Sequence, residues 1–396
     1  MLGLTPAQAQ TSPVKELRIG AFVTASGPGA DLGAQMRAGI EVALERMVPS
    51  YEIGGQKVPV RVFWYDDEGK AEVGVNVVTR ALTVDKINVG IGFNSSDIVL
   101  RVMDDFQRAN TPFITCCAAA MKIGEKIAAQ KMNLVFQLSP TASDLSTSMV
   151  GSILANRKPK KIGILFYNIE YGRDLSRIAI GQLKTAAPDA EVVAEEYVPL
   201  GTSDYTPQLS KFKRLGVDTI ITDIYGAGAP IFFQQYEELR VPAMIAHIGT
   251  TVSADSFIAQ NARPMNGSLV IIRWIPGDYT AVSRPMVSAY TEKMKTSPTS
   301  FSVQAHDTAV IALEAVRAAG TLAPDTVANA IETGNFAGAW GMRKFLPLAQ
   351  GHRLPADMVV AQIQGGKKVV VFPASVRTAT GGTFLAIPPY PWEAPR

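Results

Sequence analysis

From Leu17 to Ala246 the chain alternates between short apolar runs and stripes of apolar residues three or four apart. A short run bounded by turn residues reads as a strand, and a stripe at that spacing reads as a helix. Leu17–Val23 ends in Ser26-Gly27-Pro28-Gly29 and gives way to Met36, Ile40, Ala43, Leu44 and Met47. Val58–Tyr65 is followed by Val73, Val77, Ala81 and Val84, and Ile87–Gly92 by Val99, Val102, Met103 and Phe106. Thr111–Thr115 closes the first series. A second series starts at Leu134–Leu138 and continues through Lys161–Phe166, Glu191–Val198, Val217–Ile224 and Pro242–Ala246, with stripes such as Leu175, Ile178, Ala179 and Leu183 between them. Strands that are apolar throughout and alternate with helices imply parallel sheets covered on both faces. Two such series in tandem predict an α/β protein of two lobes.

The last third departs from this pattern. Leu269–Trp274 reads as a strand, and Ser283–Met294, Val303–Ala319 and Pro324–Glu332 read as helices. Met358–Ile363 and Lys368–Phe372 flank Gln364-Gly365-Gly366-Lys367, a hairpin signal. Ala386–Arg396 carries four prolines and reads as an extended arm.

Composition removes several classes of function. The 38 basic and 35 acidic residues leave a net charge of +3 and are interleaved, which argues against a surface that tracks nucleic-acid phosphates. No apolar run approaches the ~18 residues of a membrane helix, so direct membrane insertion is not expected. Two cysteines and three histidines are too few for a disulfide scaffold or a zinc cluster. Cys116 and Cys117 are adjacent. Consecutive Cα atoms stand ~3.8 Å apart and disulfides favour roughly 4.4–6.8 Å, so two separate small buried side chains are expected. Ala7-Gln8-Ala9 has the small-x-small form of a signal-peptidase site, and residues 1–14 read as the remnant of an export signal.

Enzyme constellations are missing: the sequence has no GxxxxGK, GxGxxG, HExxH, CxxC or GxSxG. His247, His306 and His352 are far apart. Asp66-Asp67-Glu68 reads as a solvated loop rather than a metal site, and the basic run 156–161 as a loop after a helix. No catalytic residue, metal or cofactor is expected. The positive signal is architectural, because open α/β sheets bind ligands beyond the carboxyl ends of their strands. The loops Thr24–Gly33, Asn94–Asp97 and Cys116–Ala119 lie at such ends. Asn94, Ser95 and Ser96 lead into a helix, whose free N–H groups and positive end suit a carboxylate.

The segments IGAFVTASGPGADLGAQMRAGIEVA (19–43), VFWYDDEGKAEVGVNVVTRAL (62–82), TPFITCCAAA (111–120), KPKKIGILFYNIEYGRDL (158–175), TSDYTPQLSKFKRLGVDTIITDIYG (202–226) and VQAHDTAVIALEAV (303–316) carry a family resemblance through their order and spacing. Over about residues 15–375 the chain resembles the type I periplasmic solute-binding proteins of the leucine/isoleucine/valine-binding group. The resemblance implies two lobes, each a mainly parallel sheet with helices on both faces, and three crossings near Gln137–Pro140, Asn266–Leu269 and Pro355–Asp357. Lobe 1 is then 15–137 with 269–356, lobe 2 is 138–268 with 357–375, and 376–396 is a Pro-rich tail.

The resemblance further implies a periplasmic, exported receptor. It would close on a small-molecule carboxylate ligand, an amino acid or an aromatic or branched organic acid, and deliver it to an ABC permease in the inner membrane. A cytosolic amide- or urea-type sensor using the same fold is the alternative. By position, Ser96 falls where a serine hydroxyl holds the ligand carboxylate. Cys117 and Ala119 fall where backbone and a threonine hydroxyl contact the carboxylate and amino group. Tyr171 and Tyr225 match tyrosines of the second lobe, and Leu32 stands where an aromatic often packs. With Asn94, Ser95, Ala118 and His247 from the same loops, these form the candidate ligand-binding set. Two departures bear on the ligand. Ala119 has no hydroxyl, and 246–251 (Ala-His-Ile-Gly-Thr-Thr) hold no carboxylate for an ammonium group. An unpaired buried ammonium is costly, so the expected ligand is an organic acid without an α-ammonium group, such as an aromatic one. Asp223 is the first candidate to overturn that.

Overall fold

A computed structural model describes residues 14–272, 283–355, 358–375, 377 and 381–385. The expected leader and most of the Pro-rich tail lie outside these residues, as do Ala356 and Asp357 of the third crossing.

The first lobe is built from β1 (Leu17–Val23), α1 (Ala30–Met47), a short hairpin of β2 (Glu52–Ile53) and β3 (Gln56–Lys57), β4 (Val60–Asp66), α2 (Ala71–Thr83), β5 (Val89–Gly92), α3 (Ser96–Arg108), β6 (Phe113–Thr115), α4 (Met121–Gln130) and β7 (Val135–Gln137). Its sheet runs β4-β1-β5-β6-β7, all parallel. The second lobe follows with α5 (Ala142–Asn156), β8 (Lys161–Tyr167), α6 (Glu170–Ala186), β9 (Glu191–Val198), α7 (Thr206–Leu215), β10 (Thr219–Thr222), α8 (Gly228–Glu238), β11 (Met244–His247), α9 (Asp255–Gln260) and β12 (Leu269–Ile272). The chain then returns to the first lobe for α10 (Ser283–Met294), α11 (Ser300–Ala319), α12 (Pro324–Thr333) and the small pair β13 (Phe336–Gly338) and β14 (Gly341–Arg343). It ends with the hairpin β15 (Val359–Gln364) and β16 (Lys367–Phe372). The second sheet runs β16-β15-β12-β11-β10-β8-β9, with β15 and β16 antiparallel at one edge.

The strand pattern explains the layering. Along β1, Ile19, Ala21 and Val23 face a core shared with Met36, Ile40 and Ile311. Phe22 faces the opposite core with Val78, Val99 and Phe106. The second sheet is likewise covered on both faces, by a core around Phe212, Phe232 and Ile245 on one side and Leu145, Ile164 and Leu175 on the other. Helix α11 is buried almost all round because it lies between α1 and the first sheet. At its contact with α1, a Cβ on Gly39 would stand 2.9 Å from the Ser302 carbonyl carbon, so only glycine lets the two backbones approach.

Two expectations are corrected here. The sequence reading places Leu269–Ile272 in lobe 1, with a crossing just before it. As β12 this segment instead pairs parallel with β11 and antiparallel with β15, inside the second sheet. The chain has therefore not crossed by Ile272. An apolar strand sequence signals burial but not which sheet buries it. Helix α4, absent from the sequence reading, fills the stretch between β6 and β7.

The first crossing ends in a capping box, in which the Thr141 hydroxyl accepts from Asp144 N and the Asp144 carboxylate accepts from Thr141 N, and this starts α5. Beside it, Gln137 N donates to His352 O at 2.9 Å and Leu354 N donates to Gln137 O at 3.0 Å. The first and third connections thus run side by side.

Candidate ligand-binding cleft

A cleft of about 490 Å³ opens between the lobes. Its size is that of a small-ligand site. Most of its walls are loops leaving the C-terminal ends of strands and the helix starts they lead into: Thr24–Leu32 after β1, Glu68–Glu72 after β4, Asn94–Ile98 after β5, Cys117 and Ala119 after β6, and Ile169, Tyr171, Leu200, Asp223, Tyr225 and Gly249–Thr251 from the second sheet. Phe301 from α11 completes the lining.

The two adjacent serines have different tasks. Ser95 is the N-cap of α3, and its hydroxyl accepts from Ile98 N at 3.4 Å. Ser96 Oγ accepts from Ala119 N at 3.2 Å and Ala120 N at 3.1 Å. A hydroxyl that accepts twice still has its proton to donate, and Ser96 lines the cleft. It therefore offers a fixed O–H donor beside the start of α3, where the helix dipole favours an anion.

Beneath this wall the β1 and β4 loops are tied together. Thr24 Oγ1 donates to Asp67 Oδ1 at 2.7 Å and lies 3.1 Å from Asn94 Oδ1. Asp66 accepts from Ala25 N at 2.8 Å and from the Ser26 hydroxyl at 2.7 Å. Burial alone would push the Asp66 carboxyl up, but the bonds from Ser26 and the Glu68, Ala25 and Ser26 N–H groups outweigh it and hold it below its ordinary value. The expected solvated acidic loop is corrected at Asp67. It is fully buried, burial pushes its carboxyl above the ordinary value, and its Oδ2 has no hydrogen-bond partner among the described residues. It is a structural carboxyl that supports the wall.

Cys116 and Cys117 are buried as expected but are joined in a disulfide, which corrects the reading of two separate thiols. Cys116 N donates to Gly92 O and Cys117 N to Phe93 O, so both residues are held at the end of β6 with their side chains together.

In the second lobe the Tyr225 ring meets Tyr167 edge-to-face at 5.0 Å, and the Tyr167 hydroxyl donates to Tyr225 O at 3.0 Å. Burial pushes both phenols well above their ordinary value, and the charges of Asp223 and Asp97 add to this at Tyr225, so its hydroxyl stays neutral. Asp223, just beyond β10, is only 4% exposed and lines the cleft.

The fold thus brings Leu32, Asn94, Ser95, Ser96, Cys117, Ala119, Tyr171 and Tyr225 to one cleft. Two candidates lie behind it. Ala118 is fully buried, and its carbonyl accepts from Gln137 Nε2 at 3.0 Å. His247 is fully buried with Nδ1 3.1 Å from Gly249 O and Nε2 2.9 Å from Ile224 O, so it pins the loops after β10 and β11 rather than facing a ligand. Thr24, Thr250 and Phe301 join the lining without having stood among the sequence candidates. Thr250 Oγ1 lies 2.6 Å from Ser300 Oγ and joins the lobes at one end of the cleft. Among the described residues no group of three or more His, Cys, Asp or Glu side chains is placed to hold a metal, and no helix is long and apolar enough to cross a membrane.

Comparison with known proteins agrees with this architecture. Leu/Ile/Val-binding protein homolog 8 of Brucella suis is 23% identical over 94% of this chain and 94% of its own length. Homolog 7 of Brucella abortus is 24% identical over 94% of this chain and 95% of its own. Among solved structures, an ABC-transporter solute-binding protein from R. palustris in complex with benzoate superposes with a TM-score of 0.79 at 18% identity, covering 90% of this chain and 95% of that one. The branched-chain amino acid transporter substrate-binding protein LivJ of Streptococcus pneumoniae in complex with isoleucine also gives 0.79, at 19% identity, covering 91% and 100%. The sequence profile described as "periplasmic binding protein" matches residues 16–368, a span that takes in both lobes and every loop lining the cleft, and the chain belongs to the periplasmic binding protein family.

Proposed function

We propose that the protein is an extracytoplasmic receptor that captures a small zwitterionic carboxylate, an amino acid, between its lobes and passes it to an ABC permease. The observation that carries this is the pairing of a donor wall with an acid. Ser96 and the start of α3 present donors from the first lobe, and Asp223 presents a nearly buried carboxylate from the second. Residues 246–251 indeed lack an acid, but Asp223 enters the same cleft from the end of the neighbouring strand. This moves the reading away from a ligand without an ammonium group. Among the described residues, Glu68, Glu72, Asp97 and Asp223 line the cleft against a single cation, Lys70, which is already paired with Glu68 at 2.7 Å. A ligand carrying only negative charge would meet uncompensated like charge there.

A second reading, an aromatic carboxylate, is favoured by the aromatic and apolar lining of Leu32, Tyr171, Tyr225 and Phe301 and by the missing hydroxyl at Ala119. A thermal-shift and calorimetric screen of amino acids against matched keto, hydroxy and aromatic acids separates the two. A ligand at 100-fold its dissociation constant adds about 2.7 kcal/mol of apparent stability. Stabilisation by an amino acid and not by its keto and hydroxy analogues supports the first reading, and the reverse supports the second.

A further inference from the structure

We infer that Asp174 is a clasp residue: it caps a helix of the opposite lobe and holds part of the ligand-free population closed. Helix α4 of the first lobe begins without a cap of its own, because its N-cap residue is Ala120. The N–H groups of its first residue and of the two residues before it are divided between two partners. Those of Ala119 and Ala120 go to Ser96 Oγ in the same lobe, whereas Met121 N donates at 2.8 Å to Asp174 Oδ2 on α6 of the second lobe. A carboxylate is the acceptor that the positive end of a helix favours.

Asp174 is held for this contact. It is 3% exposed, and Arg177 on the next turn donates to its other oxygen at 2.7 Å. One residue along, Lys122 of α4 pairs with Glu170 of α6 at 2.6 Å, a second bond between the same two helices. Opening the lobes breaks both, and leaves the start of α4 and a preset carboxylate to find water instead.

The clasp is continuous with the cleft. Ser96 receives the two N–H groups that precede Met121, and Tyr171 lies between Glu170 and Asp174 on the clasp's other half. A ligand touching Ser96 and Tyr171 thus draws together segments that the clasp already joins. A receptor partly closed in advance has a larger binding-competent fraction, which raises its apparent affinity. This inference does not require the ligand to be an amino acid.

The test uses ligand-free full-length protein, so its outcome is independent of the ligand screen. Asp174→Asn keeps the shape and removes the charge, and Lys122→Glu sets two acids against each other at the second bond. Both variants should show a larger radius of gyration by small-angle scattering than the wild type. Amide exchange over residues 120–123 should be about tenfold faster, within the usual range of coupling between sites, while β5, β6 and β8 keep their protection. The exchanged pair Lys122→Glu with Glu170→Lys should restore the wild-type radius. An unchanged radius in both variants overturns the clasp, and so does loss of protection throughout the strands, which would make Asp174 a folding residue only.

Discussion

Gly249 and Asp223 compete for one volume. A Cβ added to Gly249 would stand 2.6 Å from Asp223 Cγ and 2.9 Å from His247 Cε1. The loop after β11 can carry no side chain at this point while the Asp223 carboxylate keeps its place in the cleft wall. Gly249→Ala should therefore displace Asp223 and cost about 1–3 kcal/mol of stability, as overpacking does. Amino-acid affinity, read by calorimetry, should fall much further than affinity for a keto acid. Equal losses for the two would separate Asp223 from the ligand's ammonium group.

The two serines give a matched pair of variants. Ser96→Ala removes the cleft donor and leaves Ala119 N and Ala120 N without their acceptor. Carboxylate affinity should fall roughly ten- to a hundredfold, the equivalent of ~1.5–3 kcal/mol for a charge-assisted bond. Ser95→Ala should lose only its cap, about 1 kcal/mol of stability, with a far smaller effect on affinity. Calorimetry and thermal melts on both variants check this, and equal affinity losses would contradict the division of roles.

Tyr171 lines the cleft from the second lobe, so in the proposed receptor it would meet the ligand only on closure. Tyr171→Ala should speed ligand release roughly tenfold and change association little, as is usual when a side chain within an already formed interface is truncated. Stopped-flow measurement of both rates decides it, and a loss confined to association would place Tyr171 in the encounter instead.

Asp67 predicts a pH effect on stability rather than on binding. Its carboxyl titrates higher in the folded protein than in the unfolded chain, with burial as the main cause. Its contribution is then fully present below the unfolded value, roughly pH 4, and is lost as pH rises through the folded one. Asp67→Asn removes the buried charge and keeps an oxygen for Thr24 and Gly69. It should raise stability at pH 7 relative to wild type and leave it nearly unchanged at pH 3. Urea unfolding at the two pH values is the measurement, and a loss at pH 7 would show that the charged form is needed there.

What the sequence made legible follows from what sequence can encode. The tandem alternation was readable because strands buried on both faces, such as Ile162–Phe166 and Thr219–Thr222, are apolar or hydroxyl-bearing throughout. Helix α4 was not readable. Its sequence MKIGEKIAAQ has three buried positions, no capping side chain, and Lys131 rather than glycine in the left-handed position that ends it. The Ser95-Ser96 half of the cleft was readable because both residues sit at one helix start. Asp223 was legible only as the one acid that could answer an ammonium group, not as a cleft residue, since its apolar surroundings run the expected strand on from Val217 to Ile224 whereas β10 ends at Thr222. The same limit put Ala118 and His247 in the candidate set, although each spends its polar atoms on backbone or amide groups behind the wall.

Gln137 ends β7 at the first connection between the lobes, and its side-chain amide donates to the carbonyls of Ala118 and Ala120 at 3.0 and 3.2 Å. Those residues flank Ala119, whose N–H bonds Ser96. One residue thus fastens the first connection to the floor of the cleft, and in the proposed closure the first lobe would work as a fixed jaw. Changes there would disturb motion and recognition at once. The second lobe presents Leu200 and Tyr225 on loops and Tyr171 on the first turn of α6, and among the described residues none of them is tied to Gln137. Evolution toward new cargo would therefore leave its record chiefly in those segments, and a comparison of receptors with different ligands should find the fixed jaw conserved and the other one diverse.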